Sequence, residues 1–172
     1  QLQDPARYLR QLDAHPEAVP GSVLWLFKDN DAAAENLRKE AERRGIRSDR
    51  LVFASRLPAD EHLARHSAAD LFLDTLPYNA HTTASDALWA GLPVLTLAGQ
   101  SFAARVAASL LTAVNLDSLI TQTQPEYEAT AIHLANHREA LTAYRTVLHA
   151  QRYCHPSSTD GDSPMTWRPR IA

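Results

Sequence analysis

Short apolar runs alternate with helix-forming stretches along this chain, and that alternation leaves few folds open to it. Ser22-Val23-Leu24-Trp25-Leu26-Phe27 is continuously apolar behind Pro20-Gly21. A strand with no polar alternation is expected to be covered on both faces, so the run is read as a central strand of a parallel sheet. Asp31 to Arg44 then offers strong helix formers and ends at Gly45, a helix by propensity and termination. Leu51-Val52-Phe53 is a second strand, Asp60 to Ala68 a short helix, and Leu71-Phe72-Leu73 a third strand ending in Asp74-Thr75. Thr82 to Ala90 is a helix stopped by Gly91 and Pro93, and Val94-Leu95-Thr96-Leu97 a fourth strand. The order βαβαβαβ predicts an α/β fold, a doubly wound, Rossmann-like parallel sheet with right-handed crossovers. Ligands in such sheets sit beyond the strand C-termini. The loops after Phe53, Leu73 and Leu97 should therefore meet at one crevice.

Further helices are expected over Phe102–Leu111, Pro125–Ala135 and Arg138–Ala150. Leu134, Leu141 and Leu148, seven residues apart, form an apolar stripe that packs on the sheet. With 172 residues and 45% hydrophobic composition, one ordinary domain is expected. It is assigned to residues 1–150, with an irregular tail over 151–172. The 17 basic and 20 acidic residues give a net charge of −3, which supplies no basic field for nucleic acid or an anionic membrane. Neither is expected as a partner. Cys154 is the single cysteine, and no signal-peptide pattern is present, so a reducing, cytoplasmic location is expected. The apolar runs are too short to span a membrane.

The middle of the three loops carries the chemistry. In Tyr78-Asn79-Ala80-His81-Thr82-Thr83-Ala84-Ser85-Asp86 the hydroxyls of Thr82, Thr83 and Ser85 cluster at a helix start. Unpaired N–H groups and the positive end of the helix dipole favour an anion there, above all a phosphate oxygen. Asp86, one turn on, would repel a phosphate and better suits a neutral diol such as a ribose. Together they suggest a nucleotide. The alternative is a capping box, with Thr83 as cap and Asp86 reaching back to the first N–H. His62 and Arg65, three apart on the preceding helix, share a face over the same crevice or belong to a solvated surface. Arg105, within an apolar segment, either reaches the crevice or snorkels to solvent.

Other patterns point away from other chemistries. His133 and His137 have helical ligand spacing without a His-Glu-x-x-His pattern, and no metal site is expected. Cys154-His155 has no nucleophile turn around it. The five glycines form neither a dinucleotide fingerprint nor a P-loop, so a helix end must hold any phosphate.

These residues resemble the O-GlcNAc transferase and SPINDLY-like glycosyltransferases, in the C-terminal, donor-binding half of their GT-B catalytic unit. The likeness runs from Val19-Pro20-Gly21-Ser22-Val23-Leu24-Trp25-Leu26 through Arg50-Leu51-Val52-Phe53 and Leu73-Asp74-Thr75. It continues through Asn79-Ala80-His81-Thr82-Thr83 and Leu88-Trp89-Ala90-Gly91-Leu92-Pro93-Val94 to Ala104-Arg105-Val106-Ala107-Ala108-Ser109-Leu110. The resemblance implies that Thr82 and Thr83 hold the pyrophosphate of UDP-GlcNAc and that Asp86 takes the ribose hydroxyls. His62, Arg65 and the backbone near Leu57 would lie against the uracil. His81 and Tyr78 would approach the sugar or the leaving phosphate. It also implies an inverting transfer to protein Ser/Thr without metal or cofactor, and partners that include a protein acceptor and the other catalytic half.

Some positions depart from the family. Ala59 stands where a lysine often precedes the acidic pair, residues 1–18 do not reproduce the Gln and Lys that stabilise the leaving diphosphate, and the final segment does not resemble the closing helix. No catalytic residue is assigned. The expected function is donor binding, incomplete without the other half. The alternative is a non-catalytic nucleotide-sugar-binding or interaction module left by truncation. UDP-GlcNAc is the expected donor, with GDP-fucose, used by SPINDLY-like relatives, as the competing one.

Overall fold

The structure, a computed structural model, describes residues 19–153. Its elements run β1 (Leu24–Phe27), α1 (Asp31–Arg43), β2 (Leu51–Ala54), α2 (Ala59–Arg65), β3 (Phe72–Asp74), α3 (Thr82–Trp89) and β4 (Val94–Leu97). After these come α4 (Val106–Ala113), β5 (Ile120–Thr121), α5 (Gln124–Asn136) and α6 (Arg138–Tyr153). All the pairings are parallel: β1 with β2 in one sheet, and β3, β4 and β5 in that order in another. This is the α/β, Rossmann-like arrangement expected from the alternation.

The larger core lies around β4, every residue of which is buried. Ala84, Ala87 and Leu88 of α3, Ala107 and Leu111 of α4 and Tyr127 of α5 close on it. Leu134, Leu141 and Leu148 join the same cluster, so the heptad stripe does pack inward. Leu24, Ala41, Ile46 and Leu51 form a second, smaller cluster between α1 and the β1–β2 pair. Leu73 packs against both clusters and links the two sheets.

The expected central position of β1 is corrected. It pairs with β2 alone among the described residues, and it alternates: Leu24 is buried while Trp25 and Phe27 are exposed. An apolar run records what the side chains are, not what covers them. β5 gave no signal, because two residues are too few to show a period. The helix expected over Phe102–Leu111 is split. Ser101 accepts from the Ala104 amide to cap a 3₁₀ turn over Phe102–Ala104, and the α-helix begins only at Val106. At its other end the chain stays helical to Tyr153, and the residues beyond, including Cys154 and His155, lie outside the described residues, as do residues 1–18.

α3 is the element that matters most for the site, and its end is sharply set. Gly91 adopts φ +80, open to glycine at little cost. Its amide reaches the Leu88 carbonyl at 3.0 Å and the Leu92 amide the Ala87 carbonyl at 2.9 Å. The chain then turns straight into buried β4.

Candidate nucleotide-sugar site

The loop between β3 and α3 is held from below by a buried carboxylate. Asp74, the last residue of β3, is 2% exposed. Its Oδ2 accepts from the Thr96 hydroxyl at 2.6 Å and its Oδ1 from the Ala80 amide at 2.6 Å. The Asn79 amide nitrogen also donates to Asp74 Oδ2. That nitrogen further donates to Thr96 Oγ1 at 2.9 Å and to the Leu97 carbonyl at 3.3 Å. With acceptors on all these sides, the amide orientation of Asn79 is set by chemistry. Its Oδ1 is buried without a hydrogen-bond partner among the described residues. Burial pushes the Asp74 carboxyl above the usual carboxylate range, against the hydrogen bonds and nearby His81, which favour its charge.

The next loop, after β4, closes on the same place. Gly99 packs so tightly that a Cβ there would lie 2.6 Å from Ala104 Cβ and 2.8 Å from Leu76 Cδ2. The Ala103 carbonyl accepts from the backbone N–H of Asn79 at 3.2 Å and from His81 Nε2 at 3.4 Å. A carbonyl only accepts, so Nε2 carries the ring proton of His81. The His81 ring stacks on Tyr78 with centroids 4.9 Å apart and meets Phe102 edge-on at 6.5 Å.

His81 is the residue before the first turn of α3, and no side chain caps that helix. The capping box is therefore not formed: Thr83 lies inside the first turn and Asp86 does not reach back. Thr82 and Thr83 are exposed, and their hydroxyls have no hydrogen-bond partner among the described residues. The first N–H groups of the helix are thus left without a side-chain cap next to these hydroxyls in sequence, the kind of helix end at which an anion can be received.

α2 forms the adjoining wall. Arg65 Nη2 donates to His62 Nδ1 at 2.7 Å and Arg65 Nη1 to the Ser55 carbonyl at 2.8 Å. Because a guanidinium only donates, His62 Nδ1 accepts and the proton of the neutral ring sits on Nε2. Burial lowers the His62 pKa, and the charges of Arg65 and His66 lower it further, while the Asp86 carboxylate opposes them. That interaction places Asp86 of α3 within electrostatic reach of α2. His66 anchors the end of α2 by donating from Nδ1 to the His62 carbonyl at 2.7 Å. Leu57 is exposed in the loop that Arg65 ties down at Ser55.

The expected site residues thus fall into linked groups: His62 and Arg65 bonded together, Asp86 facing them, and Tyr78, His81, Thr82 and Thr83 in continuous sequence. Arg105 is exposed at the break before α4. His133 and His137 stack on each other at 4.1 Å. Among the described residues no group of three or more His, Cys, Asp or Glu is placed to hold a metal ion, and no helix is long and apolar enough to cross a membrane. Sequence reasoning missed the supporting roles of Asp74, Asn79 and Thr96. An acid at a strand C-terminus followed by an asparagine in the next loop was the available signal.

Comparison with known proteins gives one answer. The sequence profile of glycosyl transferase family 41 matches residues 5–158. The UDP-N-acetylglucosamine–peptide N-acetylglucosaminyltransferase of Caenorhabditis elegans is 38% identical over 149 residues, covering 81% of this chain and 13% of that protein. The probable transferase SPINDLY of Hordeum vulgare is 31% identical over 183 residues, covering 88% of this chain and 18% of that protein. Among solved structures, a mutant of the Thermobaculum terrenum O-GlcNAc transferase superposes with a TM-score of 0.79 at 33% identity, over 84% of this chain and 28% of that one. The chain therefore spans a minor part of the length of these relatives. By the span of the profile match, and by relatives that share a third of its residues across most of its length, the chain belongs to glycosyl transferase family 41, the O-GlcNAc transferase-like glycosyltransferases.

Proposed function

We propose that this chain is the donor-binding half of an inverting O-linked N-acetylglucosaminyltransferase and holds UDP-GlcNAc across the loops of β2, β3 and β4. The observation that carries this is the uncapped start of α3, where unpartnered Thr82 and Thr83 hydroxyls stand beside free helix N–H groups. The diphosphate lies there, favoured by the helix dipole. Asp86 accepts from the ribose hydroxyls. His62, fixed as an Nε2–H donor by Arg65, and the loop at Leu57 face the uracil. Tyr78 and His81 flank the sugar end.

In the transfer itself a protein Ser/Thr hydroxyl attacks the anomeric carbon opposite the diphosphate, the C–O bond to phosphate breaks, and the configuration inverts. The charge arriving on the leaving diphosphate is met by the α3 N–H groups, an electrostatic contribution to the transition state. Removal of the acceptor proton falls to groups outside those described. No step requires a metal.

A thermal-shift titration with UDP, UDP-GlcNAc and GDP-fucose tests this reading. A ligand at about 100 times its dissociation constant adds roughly 2.7 kcal/mol of stability. UDP and UDP-GlcNAc should raise the midpoint, GDP-fucose should do so less, and Asp86→Ala should weaken the uridine ligands. A folded chain whose midpoint moves with none of them would refute donor binding.

A further inference from the structure

Phe102 is the most exposed large apolar side chain described, at 78%. It is nevertheless not on a loose segment. Ser101 caps its 3₁₀ turn, the Gly99 amide donates to the Ala104 carbonyl at 2.8 Å, and the neighbouring Ala103 carbonyl receives the backbone N–H of Asn79 and the His81 ring. Two loops are thus bonded together so that Phe102 meets the His81 edge, while His81 stacks on Tyr78, itself 56% exposed. An aromatic ring held rigidly in water loses burial energy without a gain in packing. Tyr78 stacked on the half-buried His81, with Phe102 perpendicular to that pair, makes an aromatic corner next to the first turn of α3.

We propose that Phe102 completes, with Tyr78 and His81, an aromatic seat for the pyranose ring of a nucleotide sugar, and that Phe102 is the residue of the seat that separates sugar-bearing from sugar-free nucleotides. This rests on the reading of the α3 N-terminus as the diphosphate site. A sugar joined to that diphosphate has to lie immediately beside it, and His81 directly precedes Thr82. Pyranoses present a face of C–H groups with hydroxyls at the rim, and such a face packs on aromatic rings while the rim stays hydrated. The polar partners for the ring hydroxyls and the acyl amide then come from elsewhere, and the seat supplies contact area and orientation.

Calorimetric titration of the whole chain with UDP and with UDP-GlcNAc decides the matter. Phe102→Ala should weaken UDP-GlcNAc by about three- to tenfold, the range expected of one aromatic contact, and leave UDP unchanged. Phe102→Trp should restore the UDP-GlcNAc affinity. Exposure of the side chain keeps both variants folded, which the thermal midpoint checks. Equal weakening of both ligands, or of neither, in Phe102→Ala would overturn the seat while leaving the diphosphate site standing. Failure of the unaltered chain to bind UDP would instead remove the reading beneath it, and the seat with it.

Discussion

Asp74→Ala should loosen the loop that leads into α3, and the structure allows the cost to be worked out. Asp74 accepts from the Ala80 amide, the Thr96 hydroxyl and the Asn79 amide while 2% exposed. On truncation Asn79 keeps Thr96 Oγ1 and the Leu97 carbonyl, and the Thr96 hydroxyl is free to rotate. The Ala80 amide has no substitute. A partly buried donor left unmade costs up to about 1–3 kcal/mol, and the lost bonds to a charged acceptor add to it. Relief of the buried carboxylate offsets part of this, since burial already disfavours its charged form. The net loss is expected to be about 2–3 kcal/mol. Urea unfolding followed by far-ultraviolet circular dichroism would show it as a midpoint lowered by roughly 1 M at an unchanged slope. Asp74→Asn retains an acceptor for Ala80 but sets its amide nitrogen against that of Asn79, so its loss should be smaller. A cost below about 0.5 kcal/mol for Asp74→Ala, or an equal cost for the two variants, would refute the network as the support of the loop.

Three further outcomes follow from the same geometry. Because the folded pKa of Asp74 is raised from 3.8, its contribution to stability is fully present below that value and is lost as pH rises through the folded pKa. The stability of the unaltered chain relative to Asp74→Asn should accordingly fall with rising pH in that window, measured by urea titrations at successive pH. For His62 the sign is opposite: its folded pKa is lowered from 6.5, so its contribution is present above 6.5 and lost as pH falls through the folded value. UDP affinity should weaken over the same window as the ring ceases to accept from Arg65, and His62→Gln should flatten that dependence in calorimetry. Gly99→Ala should destabilise by about 1–3 kcal/mol, seen as a lower thermal midpoint, because its Cβ would sit 2.6 Å from Ala104 Cβ and force the two loops apart.

The sequence was legible wherever a feature is local. The helix over Asp31–Arg43, capped by Asn30 through its bond to the Ala33 amide at 2.7 Å, needs only its own residues. The same holds for the stop at Gly91 and Pro93. The stretch from Tyr78 to Asp86 stood out as a candidate site because hydroxyls, a helix start and a carboxylate lie within one segment. What it left open, a phosphate site or a capping box, was a question about hydrogen bonds. The structure rules out the capping box, because Thr83 lies inside the first turn and no side chain caps the helix.

By itself, then, the sequence determined the βα alternation, the parallel α/β class and the family, and singled out the segment proposed to meet a ligand, because apolar period, helix termination and motif spacing are written in neighbouring residues. Only the tertiary structure decided that β1 exposes Trp25 and Phe27, that Asp74 and Thr96, 22 residues apart, join under the loop, and that Phe102 stands against His81. Contacts between distant segments leave no local signature, since each partner alone is an ordinary acid, threonine or phenylalanine. Their meaning comes from the burial and hydrogen bonding that packing imposes.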